Sequence, residues 1–331
     1  MGDVSSLPLS LKDSLKRGVL ITAANWHVVV VQFVADALFK TLLAVPIVGG
    51  VFLAVLLIGG DPGDLLARPV TEIVPTMASV LLAQPIALSA FLLALAVIVI
   101  GGSTLMFLVK GGTVTVLIAA ERAAGAIEHP PLRLPAFRRA TQFSMERFTN
   151  GAVGLFPRYL TLGIGLMAIY LASTLISIAL VLGPEPVGDW RLVAAAASLA
   201  LVVWITIVNF IYLLLQIAIA TDDCNVREAL GHVTRMLRAE FRTVTLIFGA
   251  TLALVLLTTA ASILATAALG LIAFVPLVGL AALPLQLIAW LVRGIVFQFI
   301  GLTAVVAYLG VYRGLREGRG TAGPAEIRRI G

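Results

Sequence analysis

The chain has a single cysteine, Cys224, among its 331 residues, so an intrachain disulfide is excluded and redox compartment leaves no trace. Charge is equally scarce. Only 12% of residues are Asp, Glu, Lys or Arg, and 60% are apolar, against about a quarter charged and half apolar in a soluble domain. With a mean hydropathy of +1.07, this composition is that of an integral membrane protein. Also missing are the G-x-S-x-G, H-E-x-x-H, Walker A and dinucleotide fingerprints. No constellation of nucleophile, base and metal is visible, so neither an enzyme nor a cofactor is expected. Residues 1–18 carry no apolar core of the kind a secretory signal needs, and cleavage is not expected. No basic-aromatic module is present, which argues against a nucleic-acid partner.

What the chain has instead is long apolar runs. About 20 such residues cross the hydrocarbon of a bilayer, and runs of this kind occupy 26–58, 86–119, 159–182, 191–220, 243–274 and 285–312. Six transmembrane helices are predicted, the first kinked or partly broken near Pro46, Gly49 and Gly50. A short helix on the outer surface is predicted over 71–84.

Of the 23 Lys and Arg, 18 fall in the segments before the first span, between the second and third, between the fourth and fifth, and after the sixth. The alternate segments hold Arg68 and Arg191 beside Asp61, Asp64, Glu72, Glu185 and Asp189. The positive-inside rule then places both termini in the cytoplasm.

The basic segments resemble one another. SLKDSLKRGVLITAANW, RLPAFRRATQFSMERF and NVREALGHVTRMLRAEF each place an apolar residue eleven positions before an aromatic: Leu15 and Trp26, Phe137 and Phe148, Leu230 and Phe241. Leu11, Leu15 and Val19 form one helical stripe; Val226, Leu230, Val233 and Leu237 form another. Ser10 with Asp13 and Asn225 with Glu228 have capping-box spacing, and Pro135 suits a first helical turn. The fold class that follows is all-α: six transmembrane helices as three repeats, about 9–127, 133–220 and 224–316, each an amphipathic helix on the inner surface followed by a hairpin. A single membrane domain over 1–316 and a disordered tail over 317–331 complete the expected organisation.

This pattern, with DDCNVREALGHVTRMLRAEFRTV at 222–244 and KGGTVTVLIAAERAAG at 110–125, is similar to a group of bacterial six-span proteins. That group comprises the membrane domain of some glycerophosphoryl diester phosphodiesterases and the YciC-like inner-membrane proteins. The resemblance implies a multi-pass protein of the bacterial inner membrane. It carries no activity, because the fused enzymes react in a separate barrel and no segment outside the spans here is long enough to hold one.

Charges inside the spans are the first candidate site. Asp36 and Lys40 stand at i and i+4, where their side chains meet, and Lys110 and Arg293 add two cations. The plain reading neutralises Asp36 with Lys40 and lets the other two snorkel. The functional reading makes the four an anion-favouring cluster, with Gln32, Asn209, Gln216, Gln286 and Gln298 as polar lining. Interhelical hydrogen bonding accounts for these amides equally well. A second set, Lys12, Lys16, Arg17, Arg138, Arg139, Arg227, Arg235, Arg238 and Arg242, is suited to anionic lipid headgroups. Asp222, Asp223, Cys224 and His232 mix metal-binding residue types, yet no Cys or His pair has zinc spacing, so no metal is expected. Three functions fit: handling of anionic lipids or amphiphiles, which these features favour, transport of a small solute, and scaffolding of a membrane partner.

Overall fold

The computed structural model describes residues 10–58, 79, 82–128, 134–182, 190–273 and 278–321. Among these the chain is helical, in the order α1 (Leu11–Ala24), α2 (Trp26–Ile58), α3 (Pro85–Ala124), α4 (Leu134–Ala140), α5 (Met145–Leu182), α6 (Trp190–Asp222), α7 (Val226–Ala239), α8 (Phe241–Ala273) and α9 (Val278–Thr321). Six of them, α2, α3, α5, α6, α8 and α9, are long and apolar enough to cross a membrane, the architecture of a multi-pass membrane protein. Their large apolar side chains are widely exposed, Leu56, Leu171, Leu199, Leu257 and Leu264 among them. Lipid tails are as apolar as leucine, so these faces need no protein partner.

Several boundaries differ from expectation. Helix α5 begins at Met145, fourteen residues before the predicted span, and continues through Pro157. Helix α2 also continues unbroken through Pro46. The tail expected to be disordered from 317 is helical as far as Thr321, because α9 propagates past its last apolar turn. The helix predicted over 71–84 falls largely outside the described residues. So do Asp61, Asp64, Arg68, Glu72, Glu185, Asp189, His129, Arg133 and 322–331.

The chain forms two compact units, Val34–Phe107 and, together, Met1–Phe33 with Leu108–Gly331. In the first, the Phe39 and Phe91 rings lie where glycine leaves room, at Gly102 and Gly50. In the second, the buried residues gather toward the helix ends that carry the arginines, including Ile21, Leu117, Tyr159, Ile217, Val233, Ile247 and Tyr308.

Helix α1 is part of that second core. Ser10 caps it, accepting from the Asp13 amide at 3.2 Å. Its buried face is Ser14, Arg17, Gly18, Ile21 and Thr22, not the predicted stripe, of which Val19 is 42% exposed. The buried face packs along α9, and the small residues Ser14, Gly18 and Thr22 at four-residue spacing permit close helix approach. A Cβ on Gly18 would stand 2.5 Å from the Thr303 carbonyl oxygen. Gly18→Ala is therefore expected to push α1 off α9 and cost about 1–3 kcal/mol. Thermal unfolding in detergent checks this, with Gly314→Ala as the control, since a Cβ there meets nothing within 4 Å.

Asn25, fully buried, is the joint between α1 and α2. Its Nδ2 donates to Ile21 O at 2.9 Å and Ala140 O at 2.8 Å, and its Oδ1 accepts from the Gln142 amide at 2.9 Å. One side chain thus ties the end of α1 to the end of α4. Helix α4 has only seven residues, and Phe148, expected at a junction, lies within the first turn of α5. Trp26 and Phe241 do open their long helices and are exposed.

Candidate functional site

Two polar clusters form where the arginine-bearing helix ends meet. In the first, α3 ends at Ala124 and Gly125 takes φ +61°, a left-handed stop that glycine adopts without strain. The carbonyls left free there, with two carboxylates, receive Arg17. Its Nη1 donates to Glu128 Oε2 at 2.9 Å and to Gly125 O, and its Nη2 donates to Glu121 Oε1 at 2.9 Å and Glu121 O at 3.1 Å. Arg313 of α9 closes on the other oxygen of Glu121, and Lys16 Nζ donates to Glu128 O at 2.6 Å. Arg17 was expected at the lipid surface. It is instead buried, because two carboxylates and two carbonyls offer the planar guanidinium more than water would. Lys16, also in the expected lipid set, is half-buried and directed into the same cluster.

The second cluster joins α6, α7 and α9. Asp222, the last residue of α6, meets His232 of α7, with Nδ1 to Oδ2 2.7 Å. The same oxygen accepts from Tyr312 and Arg316 of α9. Between α6 and α7, Asp223 takes φ +51° and pairs with Arg158 of α5. That guanidinium holds the Asp223 carboxyl below the usual carboxylate range. Cys224 is buried in the same turn. Burial, reinforced by the Asp222 and Glu228 carboxylates, raises its thiol above the ordinary value, so at neutral pH the protonated form dominates and the sulfur is a poor nucleophile. The reactive atoms of Asp222, Cys224 and His232 all lie within 4.8 Å of one another. The spacing D-x-C…H resembles no zinc motif, and for that reason sequence reading expected no metal; the convergence arises because α7 folds back beside the end of α6.

Asp36 and Lys40 pair with each other at 2.6 Å within the unit of residues 34–107. In the other unit, Lys110 rests over the Tyr212 ring at 4.9 Å and Arg293 over the Phe297 ring at 5.6 Å. The Glu121 and Arg313 pair sets a common level for α3 and α9. From it Lys110 stands eleven residues away and Arg293 twenty, which on straight helices separates the two cations by about 13 Å in depth.

Of the five amides, Asn209 has local partners. Asn209 accepts from the Tyr170 hydroxyl at 2.5 Å and donates to Ile205 O at 3.0 Å, beside a Trp204 to Ser173 bond at 2.9 Å; both link α5 to α6. Gln32 and Gln216 are buried, and Gln32 Oε1 has no hydrogen-bond partner among the described residues. Gln286 and Gln298 are half-buried.

Helix α7 presents distinct surfaces around its axis. The Asn225 amide donates to Glu228 Oε2 at 3.1 Å, the return half of the predicted capping box. Ala229, Val233 and Met236 face the core. Leu230, 52% exposed, and half-buried Val226 and Leu237 flank that face on one side. Beyond them Arg227, Arg235 and Arg238 are exposed within an arc of about 80° at 3.6 residues per turn. Lys12, Arg138, Arg139 and Arg242 are exposed as well.

No family model matches the chain, and no curated protein and no solved structure matches it.

Proposed function

We propose that this is a non-enzymatic multi-pass protein of a bacterial inner membrane that binds anionic lipid on its cytoplasmic face. The observation that carries the reading is the order of surfaces around α7: core, then exposed apolar flank, then arginine arc. A helix at an interface needs that sequence of faces, with the flank among acyl chains and the cations among headgroups. Because α7 is docked through Ala229, Val233 and Met236, its basic arc is held outward. The bias of basic residues toward these ends orients them to the cytoplasm, where the leaflet is anionic.

The same reading treats α1, α4 and α7 as three counterparts, each followed by a long helical hairpin. The order of short and long helices supports this. The counterparts have diverged. Helix α7 keeps an open basic face and α4 keeps Arg138 and Arg139, whereas α1 turns Arg17 inward and leaves Lys12.

The test is native mass spectrometry of the protein in nanodiscs of mixed phosphatidylglycerol and phosphatidylcholine, wild type against Arg227→Gln/Arg235→Gln/Arg238→Gln. Anionic lipid retained by the wild type and lost by the folded triple variant supports the reading. Equal retention overturns it.

A further inference from the structure

The geometry points to a metal site at the junction of α6 and α7, where Asp222, Cys224 and His232 would hold a zinc-like divalent cation. These three are the group of metal-ligating atoms that the described residues bring within 4.8 Å of one another. The set contains one carboxylate, one thiol and one imidazole, a combination that suits zinc, cobalt or ferrous iron and disfavours magnesium and calcium, which take oxygen.

The local fold explains the convergence. Asp222 ends α6, Asp223 reverses the chain through its left-handed conformation, and Cys224 follows immediately. His232 stands two turns into α7, on the side turned toward α9. All three ligand side chains are buried or half-buried, which restricts competition from water. Tetrahedral zinc places neighbouring ligand atoms roughly 3.3–3.6 Å apart. The separations here, from 2.7 Å between His232 and Asp222 up to the 4.8 Å limit, require side-chain adjustments of about an ångström to reach it.

Arg316 pairs with Asp222 and its Nη2 lies 3.3 Å from His232 Nδ1, so loading the site moves that guanidinium off the imidazole. A carboxylate and a thiolate neutralise a divalent cation, and loading the site releases the Cys224 proton to solvent. His232 then binds through Nδ1 as the neutral imidazole. Arg316 and Tyr312 already donate to Asp222 Oδ2, so they orient the carboxylate from outside, the usual task of groups behind a ligand. Three protein ligands leave one position open. The Tyr312 hydroxyl lies 3.2 Å from His232 Nδ1.

The experiment is cobalt titration of the full chain in detergent after chelator treatment, with metal analysis of the protein as isolated. Expected is one Co²⁺ per chain with a thiolate-to-cobalt charge-transfer band in the near ultraviolet. Cys224→Ser should abolish that band, and His232→Gln should loosen binding by roughly a hundredfold. Asp223→Asn, which leaves all three ligands intact, should bind like the wild type. Zinc should raise the melting temperature of the wild type and not that of Cys224→Ser, a readout that separates a metal site from a hydrogen-bonded cluster. The inference is overturned if the wild type binds no stoichiometric cobalt or if the band persists in Cys224→Ser. It is equally overturned if folded His232→Gln binds as tightly as the wild type.

Discussion

Arg17→Ala is expected to destabilise the protein by about 3–5 kcal/mol, the usual cost of breaking a buried ion pair by removing one partner. The side chain is 11% exposed and its two carboxylate partners 5% each, so solvent is poorly placed to replace what is lost. The guanidinium makes four directional bonds, two to Glu121 and one each to Glu128 and Gly125. Arg17→Lys should recover only part of the loss, because an ammonium is a point charge that cannot bridge that planar set. Glu121→Gln should be less costly in the Arg17→Ala background than alone, as the two act in one network. Thermal and denaturant unfolding in detergent measure all of these. A loss under about 1 kcal/mol would assign Arg17 the energetics of an exposed pair and return it to the lipid surface.

The triple variant Arg227→Gln/Arg235→Gln/Arg238→Gln should leave stability nearly unchanged and reduce the preference for anionic lipid strongly. Each arginine at an anionic surface adds about 1 kcal/mol of attraction, so three contribute about 3 kcal/mol. That energy corresponds to roughly a hundredfold in lipid partitioning. Salt should mimic the mutations in part, since screening lengths at physiological ionic strength are about 8 Å. The readout is the ratio of anionic to zwitterionic lipid carried by the protein from nanodiscs at two salt concentrations. A ratio in the wild type that responds to neither salt nor mutation would sink the lipid reading. The two predictions are complementary: Arg17 should move stability and little else, and the α7 arginines should move lipid content and little else.

The apolar stripe of α1 illustrates what could be read in advance. Leu11, Leu15 and Val19 are the obvious face by hydrophobicity, yet the face that packs is Ser14, Arg17, Gly18, Ile21 and Thr22. In water an apolar stripe marks the protein interior. In a bilayer it marks the lipid, and the interior goes to small residues that allow close approach and to polar groups that find partners. The role of Asn25 is not legible in the sequence for a related reason. A lone asparagine has no periodicity, and its partners at Ala140 and Gln142 lie more than a hundred residues away. On α7 the reading was closer, because the capping pair, the flank and the arginines are local and follow from helical spacing alone.

The sequence by itself determined the spans and the asymmetry of charge. Both depend on transfer of side chains between water and hydrocarbon, a property each residue carries independently of its neighbours. It also placed Asp36 opposite Lys40, since four residues of helix suffice to bring them together. Only the tertiary structure decided which arginines are buried in ion pairs and which are exposed, and that Cys224 lies beside both Asp222 and His232. Those outcomes depend on pairings across as many as 192 residues, as between Glu121 and Arg313. Directional bonds of that kind exist only once the helices have been packed.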